Sequence, residues 1–147
     1  MMRTFLLTFF LIAVASAHGQ DWNTDLEIAF DKALQQNRKV LLFFTVPDFC
    51  ERCELLEKNV LSTQEFLNYA ADNYILVRIE FTLSPGFSVS AEANAANLLI
   101  VEKYNKDGFF PLVVLLNKHQ RVLGKLGVYQ NETPEKYLQL LRGLEHN

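Results

Sequence analysis

Along this chain, uninterrupted apolar runs alternate with stretches in which apolar residues return every three or four positions. Thr24-Asp25-Leu26-Glu27 has the capping-box pattern, and Leu26, Phe30, Ala33 and Leu34 then recur at helical spacing, which predicts an amphipathic helix to about Asn37. The next run, Val40 to Val46, is rich in branched and aromatic residues, the pattern of a central strand covered on both faces. Its Phe43 and Phe44 are therefore expected in the core. Pro47-Asp48-Phe49 breaks the strand, and Leu55, Leu56 and Val60 restore the helical period over Glu51 to Leu61. Ser62-Thr63-Gln64-Glu65 is a second capping box and opens a short helix through Phe66, Leu67 and Tyr69.

Tyr74 to Phe81 reads as the next strand, and Thr82 to Ser90, with Pro85 and Gly86 inside it, as an ordinary surface loop. Ala91 to Tyr104 is expected as a helix ending before Asp107-Gly108. Leu112 to Leu116 and Arg121 to Tyr129 then form a hairpin across Asn117-Lys118-His119-Gln120. Thr133-Pro134 is a cap followed by proline at the first helical position. Tyr137, Leu138, Leu140, Leu141 and Leu144 make the closing amphipathic helix. The order predicts an α/β fold, a central mixed β-sheet flanked by helices.

The amino-terminal segment follows a different logic. Arg3 supplies a positive start, Phe5 to Val14 an apolar stretch, and Ala15-Ser16-Ala17 a small-residue cleavage site, so residues 1–17 read as a secretory signal peptide cut after Ala17. The stretch is well short of the roughly 20 residues that span a bilayer. The mature part, residues 18–147, is one domain of ordinary size, expected to be exported to the periplasm or secreted, to lack a membrane span and to act as a monomer. The full chain carries 14 Lys and Arg, one of them Arg3, against 17 Asp and Glu. Such an acidic balance without a basic stripe argues against nucleic-acid binding.

The chemistry concentrates at Cys50-Glu51-Arg52-Cys53, which holds both cysteines of the chain at the predicted strand-to-helix turn. A disulfide here closes a loop of only four residues. On the chain-entropy model that stabilises by about 2 kcal/mol, against about 3 for a 15-residue loop. It is a weak staple, but two thiols at the start of a helix can open and re-form a disulfide with little backbone movement. A zinc site normally takes four Cys or His ligands, and His18, His119 and His146 lie at one terminus, in the hairpin turn and at the other terminus. No metal and no organic cofactor are expected.

With these elements in order, the chain resembles the thioredoxin family, in particular its exported members, over roughly Thr24 to Leu144. The resemblance rests on KVLLFFTVPDFCERCELLEKNVL for the strand, turn and helix, NYILVRIEF for the next strand, VEKYNKDGFFPLVVLLNKHQRVLGKLGVY for the helix, proline loop and hairpin, and TPEKYLQLLRGL for the last helix. It implies a thioredoxin-like fold and a thiol-disulfide oxidoreductase that acts on protein cysteines and is served by a redox partner protein. It also implies that Cys50 is the nucleophile, that Cys53 resolves the mixed disulfide, and that Pro111 follows a cis bond and faces the cysteines. Phe49 and Phe110 flank Cys50 and Pro111 and are expected to offer substrate an apolar platform.

The chain departs from the family pattern at Phe49, where thioredoxins usually carry Trp, and at Glu51-Arg52, where they have Gly-Pro. Glu51 disfavours a thiolate at Cys50 and Arg52 favours it, so reductase and oxidase directions both stay open. The aspartate that thioredoxins bury beneath the site has no counterpart in Val40 to Val46, and Asp48 and Glu80 are the nearest acids. The competing reading is a thioredoxin-like interaction module whose disulfide is static or sensing.

Overall fold

A computed structural model describes residues 21–86 and 88–147. The expected signal peptide and its cleavage site, like His18, lie outside the described residues. Strands β1 (Lys39–Thr45), β2 (Tyr74–Glu80), β3 (Leu112–Leu116) and β4 (Val122–Leu126) form one mixed sheet in the order β2-β1-β3-β4. β1 pairs parallel with β2 and antiparallel with β3, and β3 with β4 forms the expected hairpin. β4 ends at Leu126 rather than Tyr129.

The apolar run of β1 is explained by burial on both faces. Leu41 and Phe43 pack with Cys53, Leu56 and Val60, with Phe66 and Ala70 of α3 (Gln64–Asn73), and with Tyr137, Leu138 and Leu141 of α5 (Pro134–Leu144). Val40, Leu42 and Phe44 point to the other side. There they meet Ala29, Phe30 and Ala33 of α1 (Leu26–Gln36) and Val101 and Tyr104 of α4 (Ala91–Tyr104). Alternate residues thus serve two separate cores, as the period of a strand requires.

Four helix starts use short side-chain caps, among them Ser90 of α4, which accepts from the Ala93 amide at 3.1 Å. Asp25 accepts from the Ile28 amide at 3.0 Å, so the first cap is Asp25 and not Thr24. Thr63, one residue later than its capping box implied, accepts from Phe66, and Thr133 caps α5 with Pro134 in the first turn. The carboxy-terminal end is held at the opposite pole of the sheet from the cysteines. Glu145 accepts from the Tyr74 hydroxyl and, at 2.9 Å, from Tyr69, with Lys39 at 3.8 Å.

The helix after the cysteines matches the expected span but changes character inside it. Glu51–Leu56 is α-helical (α2), and Glu57–Leu61 continues as a π-helix closed by the Ser62 amide on the Glu57 carbonyl at 2.9 Å. Extra residues in a turn of this kind are commonly found near functional sites.

Candidate active site

The sheet register decides what meets at the site. Thr45, the last residue of β1, pairs with Glu80 at the end of β2, and Phe44 pairs with Leu112 at the start of β3. The segments beyond them, Val46 to Phe49, the loop from Phe81 and the Phe110-Pro111 turn, therefore emerge together at one end of the sheet. The Phe110-Pro111 bond is cis.

Cys50 and Cys53 form a disulfide with their Cα atoms 5.3 Å apart. Cys50 is the residue before α2. Its carbonyl accepts from the amides of Cys53 and Glu54 at 3.0 and 3.2 Å, and its Sγ accepts from the Cys53 amide at 3.3 Å. A sulfur at this position faces the free amides of a helix N-terminus, which favour negative charge. The two cysteines differ in access: Cys50 is half-buried, whereas Cys53 is 2% exposed and sits in the core with Leu41, Phe43 and Leu56.

The residue before Cys50 is held in a costly backbone conformation. Phe49 has φ of 64°, a left-handed value that a bulky residue rarely adopts, and its ring is fully exposed. Phe110 is placed differently, half-buried and stacked on Phe81 with ring centroids 6.2 Å apart. Pro111 is buried.

Several neighbours that hold these segments are not legible as local motifs. The Arg52 guanidinium donates to the Tyr129 carbonyl at 2.5 Å, so its charge is directed at the segment before α5. Asn105, 2% exposed, donates to the Phe109 carbonyl at 2.7 Å and accepts from the Phe109 amide at 3.0 Å, fixing the approach to Phe110-Pro111. Asp48 accepts through Oδ2 from the hydroxyls of Thr82 and Ser88, both at 3.1 Å. The Thr82 to Ser90 segment, expected to be an ordinary surface loop, is thus tied to the turn that carries the cysteines.

The buried polar residues are Thr45, Thr82 and Asn105, so among the described residues no carboxylate lies buried behind Cys53. Asp48 and Glu80 are both partly exposed. Among the described residues no group of three or more His, Cys, Asp or Glu side chains is arranged to hold a metal ion, and no helix is long and apolar enough to cross a membrane.

A cysteine pair at a strand-to-helix turn, beside a cis-proline turn on a four-stranded mixed sheet with helices on both faces, defines a thioredoxin-fold domain. The chain belongs to the thioredoxin-like family, whose sequence profile matches residues 21–118. It is 26% identical over 137 residues to the thioredoxin-related protein DsbJ of Chlamydia pneumoniae, covering 90% of this chain and 38% of that protein. It is 25% identical over 114 residues to the disulfide bond reductase DsbH of the same organism, covering 78% of this chain and 66% of that one. The chain thus spans about two fifths and about two thirds of the lengths of these relatives. A solved structure described as DsbH oxidoreductase superposes with a TM-score of 0.75 at 21% identity, over 97% of this chain and 94% of that one.

Proposed function

We propose that the chain is an exported thiol-disulfide oxidoreductase that reduces disulfides in protein substrates. The observation that carries this reading is the asymmetric pair itself, a half-buried Cys50 at the α2 N-terminus disulfide-bonded to a buried Cys53. In the reduced enzyme, the Cys50 thiolate attacks one sulfur of a substrate disulfide. A Cys50–substrate disulfide forms, the substrate S–S bond breaks, and the other substrate sulfur leaves as a thiolate. Cys53, one turn inside the helix, then attacks the Cys50 sulfur. The Cys50–Cys53 disulfide closes and the second substrate sulfur departs.

Two electrons pass to the substrate together with the Cys53 proton, the second substrate thiolate takes its proton from water, and a dithiol redox partner must return the electrons. Among the described residues no buried carboxylate lies behind Cys53, and the leaving substrate thiolate is itself a base that can take the Cys53 proton. Phe49, Phe110 and the backbone of the Phe110-Pro111 turn, whose proline ring is itself buried, form the surface that receives the substrate segment. The relative named disulfide bond reductase supports the reductive direction, and the leader pattern of residues 1–17 supports export.

The test is turnover of a disulfide-bonded protein by the purified protein with dithiothreitol as donor. The reading expects acceleration over dithiothreitol alone, lost in Cys50→Ser; equal rates with and without protein would refute it. Amino-terminal sequencing of the exported protein should begin at His18.

A further inference from the structure

Next to the cysteines lies an open cleft of about 570 Å³ lined by Val46, Asp48, Phe49, Thr82, Leu83 and Ser84. Its two projecting apolar side chains are among the most exposed on the described surface, Phe49 completely and Leu83 at 90%. Neither sits on a floppy support. Phe49 is locked at positive φ directly before Cys50. Leu83 follows Thr82, which is 3% exposed and gripped from both sides: Asn94 of α4 accepts from its amide at 2.9 Å and donates to its carbonyl at 3.0 Å. The Thr82 hydroxyl donates to Asp48, and the Ser84 amide donates to that hydroxyl at 3.1 Å.

Asp48 Oδ2 and the amide, carbonyl and hydroxyl of Thr82 are thereby engaged within the protein. A small polar ligand finds few free partners here, while the two apolar walls remain without cover. The cleft is also continuous with the reactive turn, since Phe49 belongs to both. Resting on the oxidoreductase reading above, we infer that Leu83 and Phe49 clamp an apolar side chain adjacent to the target cysteine of a polypeptide substrate. Asp48 is the positioning residue that sets Leu83 opposite Phe49. The substrate class is then an extended segment in which leucine, phenylalanine or a similar residue neighbours the disulfide-bonded cysteine.

The test compares kcat/KM for two otherwise identical disulfide-linked peptides, one with Leu and one with Ser beside the cysteine, with hydroxyethyl disulfide as a third substrate. The wild-type protein should prefer the Leu peptide about tenfold, the scale at which an apolar contact discriminates. Leu83→Ser and Asp48→Ala should bring the ratio within about twofold. Asp48→Asn, which keeps an acceptor oxygen for the two hydroxyls, should restore most of it. Leu99→Ser, at an exposed leucine of α4 away from the cleft, should keep the full preference. Exchange with all three substrates but no preference in wild type, or a preference untouched by Leu83→Ser, would overturn the clamp alone. Absence of exchange with every substrate, hydroxyethyl disulfide included, would overturn the oxidoreductase reading and the clamp with it.

Discussion

Reducing the Cys50–Cys53 bond should barely change the stability of the fold, and the size of the change follows from the structure. The bond joins residues three apart and closes a four-residue loop, a chain-entropy contribution of about 2 kcal/mol. Reduction returns a sulfur to the α2 N-terminus, where a thiolate beside free amides regains about 0.3–1 kcal/mol. The two cores either side of β1 hold the rest of the domain and do not depend on the bond. The net loss is therefore about 1–2 kcal/mol. An unfolding entropy of about 2.1 cal/mol/K per residue gives about 270 cal/mol/K for a domain of this size, so the midpoint should fall by about 4–7 °C. Paired calorimetric scans with and without a reductant measure this directly. A drop of 15 °C or more, or loss of the cooperative transition, would show that the disulfide is a structural staple and would refute the reasoning.

Asn105→Ala removes both side-chain bonds to the Phe109 backbone; it should cost about 1–3 kcal/mol in denaturant unfolding and lower the exchange rate by loosening the Phe110-Pro111 turn. Arg52→Met deletes the charge-assisted bond to the Tyr129 carbonyl and should increase amide hydrogen exchange in the segment before α5 while leaving the sheet protected. Burial holds the Tyr74 and Tyr137 phenols above their ordinary value of 10, with the Glu145 carboxylate adding to the effect at Tyr74. Because the unfolded chain loses those protons first, the stability they contribute is complete below pH 10 and declines above it. The expected slope is about 1.4 kcal/mol per pH unit for each tyrosine, and ultraviolet titration should show the two phenols ionising only as the protein unfolds. Independent titration of all tyrosines near pH 10 in the folded state would contradict this.

What the sequence made legible was local or periodic. The β1 run, the C-x-x-C turn, the hairpin and the Thr133-Pro134 start each depend on residues within a few positions, and each is found in the fold. The caps at Asp25 and Thr63 were displaced by one residue, because either neighbour offers a side-chain oxygen and only the chain's path selects between them. The supports of the site were hidden for a different reason. Asp48 meets Thr82 across 34 positions and Arg52 meets Tyr129 across 77. Pairings of that kind are created by the β1–β2 and β1–β3 register and leave no periodic trace in the chain. The same register turned Leu83, an isolated apolar residue in a loop, into one wall of a cleft beside the cysteines.

The central claim, that Cys50 attacks and Cys53 resolves, is tested most directly by trapping. Reduced Cys53→Ser protein is mixed with a disulfide-bonded protein substrate and analysed by mass spectrometry without reductant. The account predicts a covalent adduct of one substrate molecule, joined at Cys50, released by dithiothreitol and absent from the Cys50→Ser/Cys53→Ser double variant. A folded Cys53→Ser protein that forms no adduct under conditions where its Cys50 thiol is shown to be free would contradict it.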